Sequence, residues 1–244
     1  MPYQVLSVDL AMKSYKRIGF CVLEGTRGHS KAIFLPPSEL KLAGRTDPAD
    51  LASTILRYCE ESRIKVILLD GPQGWKDPES ELRHCRVCEK ELFTPAKTGT
   101  PGNAKPGSAL GFIQFCIDVF SGLVERGAEL VERSPIEIRK PLLAVETFPT
   151  SAWRSLGLKP LPSARNTKPG EIERRTGELR DKFGVVTEAI PSHDELQALV
   201  AGLAGLSILE GNPSGYRLAG SPPIYRNGIL CEGFIVNPCL QKND

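Results

Sequence analysis

Three short apolar runs in this chain each end on an acid, and no other feature restricts its possible folds as much. Asp9 closes Val5-Leu6-Ser7-Val8, and Asp70 closes Val66-Ile67-Leu68-Leu69. Glu146 closes Leu142-Leu143-Ala144-Val145 ahead of Thr147-Phe148-Pro149. Continuous apolar runs of this length suit strands covered on both faces, in the middle of a sheet. A carboxylate at the end of such a strand is costly to desolvate unless it is paired. In open α/β sheets the crevice beyond the strand ends is the usual ligand site. Three acids in such positions point to a cluster that holds a divalent cation, although each alone also suits a turn or a helix cap. For Asp70, followed by Gly71-Pro72, the turn reading stands well by itself.

The segments between these runs narrow the architecture. The first third reads as three consecutive strands, 4–9, 17–24 and 31–35, joined by short polar stretches rich in turn formers. A helix over 50–62 follows, with Asp47 as cap and Pro48 in its first turn, and then the apolar strand 65–70. Helical spacing returns over 110–125, a strand over 142–148 and helices over 170–183 and 192–209, with a terminal hairpin within 222–238. From 71 to about 109, prolines and glycines make an irregular insertion around one short helical piece, 79–92. Three antiparallel strands followed by two parallel ones reached through helices is the layout of a ribonuclease H-like α/β fold with a five-stranded mixed sheet. A dinucleotide fold would need helices between its first strands, and none is visible there. The first strand is then central, with the fourth and fifth beside it, so Asp9, Asp70 and Glu146 are expected to converge.

At 244 residues the chain fits one such domain with insertions, 1–244. Its 31 basic and 29 acidic residues nearly cancel, so net charge selects no partner. Nucleic-acid contacts would fall to the basic loops 97–105 and 159–168, which contain no acid; a solvated loop explains them equally well. The start Met1-Pro2-Tyr3 lacks the pattern of a signal peptide, and no apolar run approaches the roughly 18 residues of a membrane span. Together with an odd count of seven cysteines, this leads us to expect reduced thiols and a cytoplasmic location.

A fourth acid joins the set. Ser192 and Glu195 have the spacing of a capping box that opens the last helix, which leaves Asp194 in its first turn. The apolar stripe Leu196, Leu199, Val200 and Leu203 would fix that helix on the sheet, with its start near the strand ends. Asp194 is therefore either a ligand aimed at the crevice or an acid placed only by the helix dipole. Cys85-x-x-Cys88 with His84 lacks the second pair a structural zinc needs, and Cys116 lies on an apolar helical face, so these read as core and surface thiols. Lys13, Arg83 and Arg86 are candidate phosphate contacts, each also explained as a solvated surface cation. No phosphate-cradling loop, serine elbow or zincin helix is present.

Val8-Asp9, Leu69-Asp70-Gly71-Pro72, Glu146-Thr147-Phe148-Pro149 and the run from His193 to Ala201 occur in one order along the chain. Together with Arg83-His84-Cys85-Arg86, they resemble the signatures of the predicted ribonuclease H-like nucleases grouped as domain of unknown function 429. The resemblance spans nearly the whole chain. It implies a ribonuclease H-like fold and acidic ligands for Mg²⁺ or Mn²⁺ at Asp9, Asp70, Glu146 and Asp194. It also implies phosphodiester hydrolysis in DNA or RNA, with two ions about 4 Å apart in the usual form of this chemistry and Asp9 as the bridging ligand. One position departs: where that family often carries a second acid in the last helix, this chain has Gln197. Two other readings stay open. One is a non-catalytic nucleic-acid-binding or scaffold protein on the same fold; the other is a nucleotide- or phosphate-binding module, which the glycine-free Ala11-Met12-Lys13-Ser14 disfavours.

Overall fold

The computed structural model describes residues 3–26 and 28–239. Met1, Pro2 and Arg27, which the sequence puts before the first strand and in the following hairpin turn, lie outside that range, as do residues 240–244. Strand β1, Gln4–Asp9, is followed by β2, Gly19–Thr26, and β3, His29–Phe34. Helix α1, Pro48–Glu61, leads into β4, Val66–Asp70. The insertion holds α2, Val87–Glu91, before the long helix α3, Leu110–Glu125. A two-residue strand β5, Glu129–Leu130, precedes β6, Leu143–Thr147, and α4, Pro149–Ser155. Then come α5, Glu171–Phe183, β7, Val185–Thr187, and α6, His193–Leu209. The hairpin β8, Tyr216–Arg226, and β9, Ile229–Pro238, completes the elements.

These strands form one mixed sheet in the order β7-β3-β2-β1-β4-β6-β9-β8, with β5 beside β6. At its centre β1 runs antiparallel to β2 and parallel to β4, and β4 runs parallel to β6, as the sequence predicts. The expected five-stranded sheet is corrected to nine strands: β7 extends one edge beyond β3, and the hairpin adds β9 and β8 beyond β6. The terminal hairpin is thus part of the sheet.

Alternation along the strands sends side chains to two cores. Leu6, Val8, Ile67, Leu69 and Ala144 pack under α1 and α3, while Val5, Val66, Leu68, Leu143 and Val145 pack under α4 and α6. Local chemistry sets the helix starts. Asp47 accepts the Asp50 N–H at 2.9 Å ahead of Pro48, and Ser192 and Glu195 exchange the two bonds of a capping box. The stretch Gly107–Glu125 proves long and apolar enough to span a membrane, contrary to the expectation that no segment is. It is a core helix here, with Ile113, Cys116, Val119, Phe120 and Leu123 buried.

The predicted helix 79–92 contracts to α2. Upstream, backbone N–H groups are taken by side chains, Glu79 by Asp77 at 3.1 Å and Leu82 by Ser80 at 3.2 Å, which competes with helix formation. Arg17, expected to begin β2, instead closes a short 3₁₀ turn over residues 15–17, in which buried Tyr15 donates to Asp50 at 2.8 Å. The insertion is fastened to the hairpin: Trp75 and Leu230 share a backbone hydrogen bond, and buried Glu232 accepts from the N–H groups of Asp77 and Val87.

Candidate active site

Asp9 and Asp70 are register partners on adjacent parallel strands, so their side chains leave the same face of the sheet side by side. The next pair in that row is Asp70 with Thr147, and Glu146 pairs with Leu69 instead. Glu146 therefore starts from the opposite pleat, the one that faces α3.

The neighbour of Asp9 on its other side is Gly19. The start of α6 rests directly on that glycine, because a Cβ there would collide with the backbone carbonyl of Asp194. A residue without a side chain thus brings Asp194 down beside Asp9. Its carboxylate receives a hydrogen bond from His193 Nδ1 at 2.9 Å, while His193 Nε2 lies 2.8 Å from the Pro162 carbonyl in the basic loop. Gly71, just past Asp70, has a φ of 130° and packs on Cys116, so a side chain there would be both strained and blocked.

The electrostatics of the pair follow from this packing. Burial raises the Asp9 carboxyl well above its ordinary value, and the charges of Asp70 and Asp194 push it further. Burial raises Asp70 to about 7, the hydrogen bond from Asp9 draws it back, and the charge of Glu146 adds to the rise. Burial and mutual repulsion both favour a proton on this pair. A hard divalent ion replaces that proton naturally, and carboxylate oxygens are the donors Mg²⁺ and Mn²⁺ take. By donor chemistry the pair fits such an ion. No group of three or more His, Cys, Asp or Glu side chains among the described residues is placed to hold one.

A stability effect follows. The native state keeps protons that the unfolded chain releases from pH 4 upward, so this contribution is fully present below pH 4 and is lost as pH rises toward 7. Asp70→Asn should remove that slope and raise stability at pH 8 by roughly 2 kcal/mol, or about 5 °C in Tm. Thermal melts of the two proteins from pH 4 to 8 check this; parallel curves would refute it.

Glu146 is in a different setting. Its carboxylate is clamped by both Arg86 Nη atoms, at 2.7 and 2.5 Å, and accepts the Gln73 N–H at 2.9 Å. Burial still lifts its carboxyl above the ordinary value, with Arg86 and Gln73 pulling the other way. Arg86 also bonds Glu89 at 3.3 Å, and Glu89 accepts from the N–H and hydroxyl of Thr98. Arg86 is 1% exposed, so the solvated cation expected from the sequence is the centre of a buried network. Arg86 binds Glu146 directly, while Asp9, Asp70 and Asp194 cluster on the other pleat; Asp70 still feels the Glu146 charge and lines a cavity with both Arg86 and Glu146.

Of the other candidate cations, Lys13 lines a shallow crevice with Asp9, Arg17, Phe112 and Asp194. Arg83 lies away from it, in a groove with His84 and Lys105. Lys97 is an internal tie that donates to the carbonyls of Glu89 and Thr94. Gln197, the departure from the family pattern, accepts the indole N–H of buried Trp153 at 2.8 Å and so joins α4 to α6. Gln197→Leu should leave that N–H unpartnered and cost about 1–3 kcal/mol, read as a lower denaturation midpoint in urea.

Sequence reasoning missed Glu89, Glu232 and Arg17. Glu89 falls in the predicted helix 79–92 and Glu232 in the predicted hairpin, where nothing local marks their distant buried partners. Arg17 was absorbed into a strand that begins two residues later.

A scan against protein-family models finds no match, and a search of curated proteins finds none. Among solved structures, the chain is similar to the RuvC structure of Thermus thermophilus, with 12% identity, a TM-score of 0.42, and coverage of 90% of this chain and 99% of that one. RuvC from T. thermophilus in complex with a Holliday junction substrate gives 11% identity, a TM-score of 0.38, and coverage of 86% and 97%. Likeness at these scores carries no argument about activity, which has to rest on the site itself: a mixed α/β sheet whose central strands end on an adjacent pair of aspartates.

Proposed function

We propose that this protein is a metal-dependent nuclease of the ribonuclease H-like kind, hydrolysing phosphodiester bonds in DNA or RNA. The observation that carries the reading is the Asp9–Asp70 pair, two carboxylates side by side in register at the ends of neighbouring central strands, both raised by burial. Asp9 and Asp70 would hold Mg²⁺ or Mn²⁺, with Asp194 beside them. The bound metal would supply an activated water and neutralise charge on the phosphate. The chain's own groups do the rest. Lys13 and Arg17 border the same crevice and can draw a phosphate backbone toward it. His193 orients Asp194 through Nδ1. Glu146 enters as the residue that holds Arg86 and, through it, the insertion beside the site. The order of signatures that resemble those of domain of unknown function 429 agrees with this assignment, and a cytoplasmic location is proposed with it.

The test is incubation of the purified protein with Mn²⁺ and labelled single-stranded, duplex, branched and RNA–DNA hybrid substrates. Cleavage of at least one is expected. No turnover on any of them, with the fold intact by circular dichroism, would overturn the assignment. One observation favours a second reading, a nucleic-acid-binding scaffold: the third acid, Glu146, is already neutralised by Arg86. Calorimetric titration separates the two, because a scaffold would take up no Mn²⁺ at millimolar concentration.

A further inference from the structure

Beyond the ends of β4 and β6, under the insertion, lies a cavity of about 170 Å³. Its walls include Pro72, Pro95, Phe112, Ile113 and Phe148, and Asp70 stands at its border. Pockets for nucleotide- or drug-sized ligands run to about 300–1,000 Å³, whereas a cavity of about 150 Å³ accepts a single benzene ring. The space is therefore sized for one flat ring system. Phe112 also forms part of the crevice that contains Asp9, Lys13, Arg17 and Asp194, so the charged crevice and the apolar cavity share a wall.

We propose that this cavity receives one unstacked nucleobase of the strand whose phosphate lies at Asp9 and Asp70. The inference rests on the nuclease reading and adds a substrate class: nucleic acid with an unpaired or extruded base next to the phosphate that is cut. The geometry matches the chemistry of a nucleotide, which joins a charged phosphate to a flat, mostly apolar ring. The crevice offers cations and acids; the cavity offers two phenylalanines and two prolines beside the Arg86, Glu89 and Glu146 side chains, whose charges are already paired with one another. Phe93, next to wall residues Thr94 and Pro95, is 81% exposed, and its φ of 54° is unusual for a bulky residue. It offers a surface on which a flanking base can stack. Enzymes that hold an extruded base commonly grip it between aromatic and apolar side chains.

Abasic scanning tests this without altering the protein. In an oligonucleotide that the protein cuts, each nucleotide near the cleavage point is replaced in turn by an abasic one. One position should raise KM at least about tenfold while its neighbours change it little, since stacking of one base is worth about 1–3 kcal/mol. Ala96→Phe, which fills the cavity from the insertion side, should remove that sensitivity. Binding provides a second arm: an oligonucleotide carrying 2-aminopurine at the same position is titrated with the protein in Ca²⁺. A saturable fluorescence change that Ala96→Phe abolishes is expected. Cleavage that ignores every abasic position would overturn the base pocket and leave the nuclease reading standing. Capture of 2-aminopurine without cleavage would support the pocket and overturn the nuclease reading. Neither cleavage nor capture would overturn both.

Discussion

Asp9→Asn should abolish metal-dependent cleavage, lowering the rate about a thousandfold or more while leaving the protein folded. Asparagine keeps the shape of the side chain but removes the charge that lets Asp9 and Asp70 share one cation. A metal contributes several kcal/mol of charge stabilisation in the transition state, and each factor of ten in rate corresponds to about 1.4 kcal/mol. The same substitution relieves the repulsion that keeps a proton on the pair, so Tm in the absence of metal should hold or rise. Millimolar Mn²⁺ should raise the Tm of the native protein but not that of the variant. Single-turnover cleavage and melts with and without Mn²⁺ measure both effects. Undiminished cleavage by Asp9→Asn would remove this pair from the chemistry.

Arg86→Met should be the most destabilising of the substitutions considered. It leaves Glu146 and Glu89 buried without their guanidinium, and stripping one partner from a buried ion pair costs about 3–5 kcal/mol, or roughly 10 °C in Tm for a chain of this size. The loss should be partial when Glu146→Leu accompanies it, because an apolar pair of similar volume can replace a buried ion pair with little penalty. Glu89 retains the Thr98 N–H as a partner in either variant. Urea denaturation of the two single variants and the double variant gives the coupling directly. Additive losses would mean that Arg86 and Glu146 do not depend on each other.

The central sheet was legible in the sequence because its signals are local. Apolar runs ending on acids marked β1, β4 and β6, and Asp47-Pro48 and Ser192-x-x-Glu195 marked two helix starts. Adjacency of Asp9 and Asp70 followed from strand order alone. The position of Glu146 did not. A run of apolar residues shows where a strand lies, but the pleat shared with the next strand depends on register, and one residue of offset turns the side chain to the other face. Arg86 was illegible for a related reason: an arginine among Cys, His and Lys looks solvated until its long-range partner, 60 residues away, is known. The edge strand β7, three residues long, carries too little pattern to be seen.

The fastening of the insertion to the hairpin also sets an order of events. Val87 donates to a carboxylate that lies 145 residues further along the chain, at Glu232. During synthesis the strands bearing Asp9 and Asp70 emerge long before that carboxylate does. Contacts of such separation form late, because the intervening loop must close first. The aspartate pair can therefore assemble on a nascent sheet while residues 71–109 are held only through Arg86 and Glu146, without their second tie to the hairpin. A protein arranged in this way completes the wall of its cavity last, so a fragment that stops before the hairpin would carry the acids beside a cavity missing the Ile235 side and one of its ties.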